Sequence, residues 1–307
     1  MSGYSIITPD QRAEHLQSQG PKILLTGQYG IGKTYTIQTI PKHMKTIVLD
    51  IESGLMTVNQ WLRTEAGNHV QTIKIAEFQD FLDITVLACG PDKSAHPTSP
   101  MSQTHHDNVM QRRANEGFDV AAEKKMFQDA DVFFIDSISD LTKRAFAHHK
   151  ALETSNNMMR VYGNMATDVL SCLRHWQHNH EKTVIFSCKL NTDEDDLGRK
   201  SYVIEAEGRR IKNELPGIVD EVITLAYIPM KQKDDTMKAT RAFVCTSPNP
   251  GGYPAKDRSG RLEGIEQPSW ENLFKKMSGN SGAENTVSTT KPNSAPKVTK
   301  TKGDLYE

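Results

Sequence analysis

The chain has 307 residues, with 37 Lys plus Arg against 38 Asp plus Glu and 36 % hydrophobic residues, enough length and apolar content to exclude a fully disordered chain. A net charge of −1 excludes a globally basic nucleic-acid binder but leaves local basic loops open. No run approaches eighteen apolar residues, and residues 1–20 lack a basic start followed by an apolar stretch, so a soluble cytoplasmic protein with no membrane contact is expected.

In chain order, the first signal is a short helix after Pro9 that ends at Gly20-Pro21, making 1–20 an N-terminal extension. The pattern then predicts a strand over 22–26, a glycine-rich turn, a helix, strands over 46–50 and 70–75, and a helix over 77–88. Residues 90–118 hold few core-forming residues and many Pro, Ser, His and Gln, which suggests an inserted surface loop or lid. Alternation resumes with a helix near 119–129, a strand over 132–135, helices over 138–151 and 160–179, and a strand over 183–187. Strand-like runs at 201–204, 222–226 and 241–246 follow without long helices between them. The reading is an α/β domain over 21–278, with a mostly parallel central sheet flanked by helices and antiparallel strands toward its C-terminal end. Residues 279–307 are too poor in apolar groups to offset their ordering entropy and are expected to form a disordered tail.

Gly27-Gln28-Tyr29-Gly30-Ile31-Gly32-Lys33-Thr34 fits GxxxxGK followed by Ser or Thr, placed between an apolar strand and a helix as that phosphate loop requires. Glycines let successive N–H groups turn inward onto phosphate oxygens, and the helix that follows would add its positive end. Lys33 would reach the β- and γ-phosphates, Thr34 would ligate Mg²⁺, and Tyr35 counts with the nucleotide-binding residues. MgATP is the implied ligand. Val132 to Ser137 supplies an apolar strand ending in an acidic residue, and Asp136 there would hold the magnesium; Asp131 precedes the run and fits less well. Hydrolysis also needs a group that orients water near the γ-phosphate. Asp50 and Glu52 follow the second strand, where a parallel sheet presents its strand ends beside the phosphate loop, and Glu52 is the candidate.

Together the loop GQYGIGKT, the strand end LDIESG and the strand VFFIDS resemble the RecA-type core, in which the glutamate two residues beyond the strand-end Asp polarises the attacking water. More narrowly, the chain resembles phage-encoded RecA-like ATPases, described as phage nucleotide-binding or AAA-family ATP-binding proteins and including Sak-type single-strand annealing proteins related to RadA. The carrying residues are the phosphate loop, IDSISDLT at 135–142, Tyr162-Gly163, IEAEGRRIKNELPGIVDEV at 204–222 and SPNPGGYPAKDRSGRL at 247–262. This resemblance implies a self-assembling, Mg²⁺-dependent ATPase acting on single-stranded DNA in phage recombination or replication. A single-stranded DNA-binding protein is a further partner, and the host bacterial cytoplasm is the place. Lys256-Asp257-Arg258-Ser259-Gly260 is similar to the KNRFG signature of RadA, whose Lys and Arg act across a subunit boundary; Asp257 and Ser259 depart from it. Lys189 occupies the place of a polar γ-phosphate sensor, where RecA has Gln.

After Lys189 the resemblance places a mobile DNA-contacting loop, and Arg199, Lys200, Arg209, Arg210 and Lys212 could neutralise phosphates there. The acidic run Asp193 to Asp196 beside them also fits a solvated mixed-charge hairpin. Tyr202 is the aromatic available nearby for base stacking. Cys172, His175, His178 and His180 spread around a helix rather than closing a tetrahedron, and the four cysteines of the chain form no CxxC pair, so neither zinc nor disulfides are expected. The alternative to a DNA-acting ATPase is an ATP-dependent switch or scaffold that binds a protein partner and has no DNA affinity.

Overall fold

The computed structural model describes residues 8, 19–194, 196, 198, 200–231 and 236–279. The helix expected after Pro9, the side chains of Arg199 and Lys200, and the tail beyond Gly279 lie outside what is described.

Among the described residues ten strands form the sheet: β1 (Lys22–Gly27), β2 (Thr46–Asp50), β3 (Val70–Lys74), β4 (Val132–Asp136), β5 (Thr183–Glu194), β6 (Lys200–Ile204), β7 (Glu221–Lys231), β8 (Met237–Val244), β9 (Lys256–Asp257) and β10 (Ile265–Glu266). The described helices of eight residues or more are α1 (Phe78–Cys89), α2 (Gln103–Asn115), α3 (Val120–Asp129), α4 (Ile138–Leu152), α5 (Met158–His178), α6 (Arg209–Ile218) and α7 (Trp270–Met277). Sheet order is β10-β8-β7-β1-β5-β4-β2-β3, with β6 on β5 and β9 on β7. The strands from β7 to β3 run parallel, whereas β8, β10, β6 and β9 pair antiparallel. The α/β reading with an antiparallel C-terminal edge therefore holds.

Every residue of β1, β2 and β4 is buried, as continuous apolar runs in a sheet covered on both faces require. Side-chain alternation splits β1 between two cores: Leu24 joins the one under α1, α4, α5 and α6, while Ile23 and Leu25 join the one with Ile37, Ile40 and Trp270. Both cores press on the strands whose C-terminal ends carry the motifs, and this fixes those ends relative to one another.

Three elements differ from the sequence expectation. The insert at 90–118 is not a bare loop: it holds α2, capped by Ser102 Oγ, which accepts from the His105 N–H at 3.1 Å. Val109 and Met101 bury into the larger core, and Asp83 of α1 accepts from Arg112 of α2, so few contacts anchor a polar helix. The segment after the phosphate loop is a six-residue 3₁₀ helix, Thr34–Thr39, not an α-helix. Its β-branched threonines bond back to carbonyls three residues earlier, Thr36 to Lys33 at 2.6 Å and Thr39 to Thr36 at 2.8 Å, and Pro41 forces Ile40 into an extended conformation. Finally, Arg209, Arg210 and Lys212 lie on α6 rather than on a loop, because Ile211, Leu215 and Ile218 form a buried helical stripe.

Candidate active site

Gly27 ends β1, and residues 28–33 turn over the C-terminal edge of the sheet, where β1 lies between β7 and β5. Gly30 and Gly32 take φ of 72° and 99°, in the left-handed region that only glycine adopts freely. Lys33 is buried and its ammonium donates to the carbonyls of Gly27 at 2.9 Å and Gln28 at 3.2 Å, which folds it over the loop. Burial lowers its pKa, opposed by the carboxylates of Asp136 and Glu52. The loop is a concave run of main chain with one sequestered cation, as phosphate oxygens require. Since the following helix is short and 3₁₀, the loop amides and Lys33 carry most of that attraction, and a helix end adds little.

Thr34 Oγ1 donates to Asp136 Oδ2 at 2.6 Å. Asp136 is 1 % exposed at the end of β4. Burial pushes its carboxyl above the ordinary aspartate range, against the hydroxyls of Thr34 and Ser187 and the charge of Lys33. A hydroxyl and a carboxylate side by side are the hard oxygen donors that Mg²⁺ prefers. Asp136 and Thr34 thus fit Mg²⁺ as the residues that would hold it, and the loop fits phosphates.

β2 runs beside β4 in register, Asp50 opposite Asp136, and the chain past Asp50 bends over the neighbouring strand end. The Asp136 carbonyl accepts from the N–H groups of Ile51 and Glu52 at 2.7 and 3.0 Å, which fastens the backbone of Glu52 to the end of β4. Asp50 Oδ1 accepts from Gly54 N–H at 3.2 Å across a turn in which Ser53 has φ of 62°. Asp50 therefore closes the turn, and Glu52 is the carboxylate directed outward from it. Its Oε1 lies 3.1 Å from Lys189 Nζ. Lys189, whose Cα pairs in register with Gly27, also meets Asp140 Oδ2 at 3.1 Å. Arg144 donates to the Ile51 carbonyl at 2.5 Å and to Ala76, adding a second tie to the Glu52 turn that the sequence did not signal.

Gly27 to Thr34, Glu52, Asp136 and Lys189 thus converge on one edge. Lys256 and Arg258 do not: Asp257 pairs with Glu221, and Glu221 sits opposite Ile23, at the other end of the strand that carries the loop. Four residues of strand, roughly 13 Å, separate Ile23 from Gly27. Lys256 donates to the carbonyls of Pro216 and Val219, both at 2.6 Å, and so caps α6. Arg258 pairs with Asp220 at 2.9 Å. Of the expected DNA-contacting groups, Arg210 shares Glu214 with Arg174, at 2.8 and 2.5 Å, and Tyr202 stacks on Tyr253 with ring centres 4.5 Å apart. Arg241 of β8 is the residue the sequence missed: its Nη1 lies 3.4 Å from the Ile31 carbonyl, at a separation of 210 residues that no local pattern encodes.

A family model described as AAA domain matches residues 19–259. No curated protein matches the chain. Among solved structures the chain is similar to a prototypical ATPase from the type III secretion system of pathogenic bacteria, at 14 % identity and a TM-score of 0.38 over 67 % of this chain and 52 % of that one. The chain thus spans about half the length of that protein. Among the described residues no helix is long and apolar enough to cross a membrane.

Proposed function

The chain belongs to the AAA domain family, and from that premise we propose that it is an ATPase that hydrolyses MgATP at the edge built by Gly27 to Thr34, Asp136 and Glu52. The observation that carries this is the convergence of three strand ends: the loop after β1, the Thr34–Asp136 pair at 2.6 Å, and Glu52 backed by Lys189 at 3.1 Å. Main-chain amides of the loop bind the phosphates, and Lys33 turns its ammonium from the Gly27 and Gln28 carbonyls onto the β- and γ-oxygens. Bound at Thr34 and Asp136, Mg²⁺ would neutralise phosphate charge. Glu52 accepts a hydrogen bond from the attacking water and orients it, and Lys189 positions Glu52.

Self-assembly completes the site in this reading. Lys256 and Arg258 stand at the opposite end of the sheet, so they reach a phosphate only in a neighbouring copy, where an arginine would stabilise charge on the γ-phosphate. Single-stranded DNA is the proposed substrate of the assembly in phage recombination or replication, with Arg199, Lys200, Arg209, Arg210 and Lys212 as contacts and a single-stranded DNA-binding protein as a further partner. A second reading, an ATP-dependent switch that binds a protein partner without DNA affinity, is favoured by the engagement of Arg210 with Glu214 and of Tyr202 with Tyr253.

ATP turnover measured over a hundredfold range of protein concentration, with and without an oligonucleotide, tests the proposal. Specific activity that rises with concentration and again with DNA supports composite sites on DNA. Activity that is flat in both contradicts assembly and DNA action together, and a response to concentration alone favours the switch.

A further inference from the structure

Strand β8 is paired along its whole length on one side and only at its end on the other. β7 meets every residue of Met237–Val244. β10 meets Val244 and Phe243 alone, through Ile265 and Glu266, and the chain then leaves by Gln267 and Pro268 for α7. In an antiparallel strand successive residues turn their main-chain groups to opposite neighbours. The Cys245 N–H donates to the Gly264 carbonyl at 3.0 Å, on the β10 side, so alternate residues Phe243, Arg241 and Ala239 face that side as well. Beyond Phe243 no strand meets them there: the outward N–H and carbonyl groups of Arg241 and Ala239 have no hydrogen-bond partner among the described residues. Met237, Lys238 and Ala239 are exposed, and Thr240 and Arg241 are half-buried.

A cavity of about 650 Å³ runs beside this edge, with Thr240, Arg241 and Ala242 on one wall and Asn272, Lys275 and Lys276 of α7 on the other. An added strand would lie about 4.8 Å from β8, in line with β10 and against that cavity. The acids around it are already matched: Glu263 and Glu266 pair with Lys276 at 3.2 and 2.8 Å, and Glu271 pairs with Lys275 at 2.7 Å. Lys238 and Arg241 have no carboxylate partner among the described residues. Arg241 reaches the Ile31 carbonyl at 3.4 Å, and its guanidinium carbon stands 5.3 Å from the centre of the Tyr35 ring, so its charge is not neutralised.

We infer that the open edge of β8 is a docking site for an acidic, extended segment of a partner protein, which joins the sheet as a strand beside Met237–Ala242. Ladder bonds to Arg241 and Ala239 hold its backbone, and its carboxylates meet Lys238 and Arg241. Single-stranded nucleic acid is also an anion, but it has no peptide N–H and C=O groups to continue a ladder, so the edge favours the peptide. The site goes beyond the nucleotide reading and does not depend on residues 27–34.

Fluorescence anisotropy of the full chain tests this with a labelled peptide that alternates Asp with Val, the same peptide with Lys in place of Asp, and a labelled oligothymidine. Ala239→Pro removes an outward N–H without changing charge, and Lys238→Glu reverses an exposed charge. The acidic peptide should bind saturably at low salt, each variant should weaken it about tenfold, and the lysine peptide should bind at least tenfold more weakly than the acidic one. If Ala239→Pro lowers the melting temperature sharply, the acidic peptide with every peptide nitrogen methylated makes the same test from the other side, and it should not bind. Peptide binding that ignores Ala239→Pro or the methylation overturns the strand, and equal binding of the acidic and lysine peptides overturns the charge match. Binding of oligothymidine alone, weakened by Lys238→Glu, would give the edge to nucleic acid and overturn the inference. No binding of any probe also overturns it and leaves Lys238 as a guard against edge-to-edge association.

Discussion

Lys189 Nζ sits 3.1 Å from Glu52 Oε1 and 3.1 Å from Asp140 Oδ2, so one ammonium joins the candidate water-orienting carboxylate to the first turn of α4. Burial pulls its pKa down, yet the two carboxylates outweigh burial and hold it above the ordinary lysine value. Lys189 therefore stays charged through neutral pH. A lysine held in this way acts on Glu52 first, whereas a phosphate sensor would act on ATP.

Lys189→Met separates those two roles. It should lower kcat about tenfold and leave ATP affinity within about threefold, since it frees Glu52 without touching the loop. Steady-state kinetics with a parallel binding titration gives the answer; a tenfold loss of ATP affinity at unchanged kcat would assign Lys189 to phosphate instead.

Glu52→Gln keeps the shape of the side chain and removes its capacity as a base. ATP binding should persist, and turnover should fall by roughly 10²–10⁴, the usual size of a general-base contribution. Unchanged turnover in this variant removes Glu52 from the reaction.

Glu221 anchors the Lys256 to Gly260 turn by accepting from the N–H groups of Arg258 and Ser259, both at 3.1 Å. Burial, with the charge of Asp257, pushes its carboxyl from 4.5 up to about 7. The folded chain then holds a proton that the unfolded chain releases, so this stabilisation is complete below about 4.5 and is lost as pH rises through about 7. Urea denaturation between pH 5.5 and 8 should show a decline of about 2 kcal/mol, and Glu221→Gln should abolish that slope. An identical slope in the variant would place its origin elsewhere.

Asp83, braced by Gln79 of its own helix, clamps the insert helix α2 to α1 through Arg112 and His105, the latter at 3.2 Å. Burial pushes its carboxyl up, and these three partners outweigh burial, so its contribution is present above the ordinary aspartate pKa and is lost as pH falls below it. Asp83→Ala leaves Arg112 with only the exposed Glu116 at 4.0 Å and should cost about 1–2 kcal/mol. Limited proteolysis should then cut within 90–118 faster than in the wild type; equal cutting would mean that apolar contacts alone hold the insert.

The strands that carry the site were legible because burial on both faces leaves runs such as VFFID without polar interruption, and the glycine spacing at 27–32 has few other uses. Helix α6 was hidden because its buried stripe of Ile211, Leu215 and Ile218 is interleaved with Arg209, Arg210 and Lys212 and contains Pro216. Helix α2 buries Val109 alone, so its polar sequence reads as loop. The packing of 34–39 also draws on Trp270, whose indole donates to Thr36 Oγ1 at 3.0 Å from the far end of the chain. The same holds for Arg241 beside Ile31 and for Lys256 capping α6: these are tertiary contacts, and residue spacing does not record them.

The account stands on a nucleoside triphosphate seated on the amides of residues 27–34, and isothermal titration calorimetry of the wild-type chain and Lys33→Ala with MgATP measures that seat. The prediction is saturable heat for the wild type and a loss of at least a hundredfold in affinity for Lys33→Ala, about 3 kcal/mol. Equal binding by both chains, or no heat from folded wild-type protein at millimolar MgATP, would contradict it.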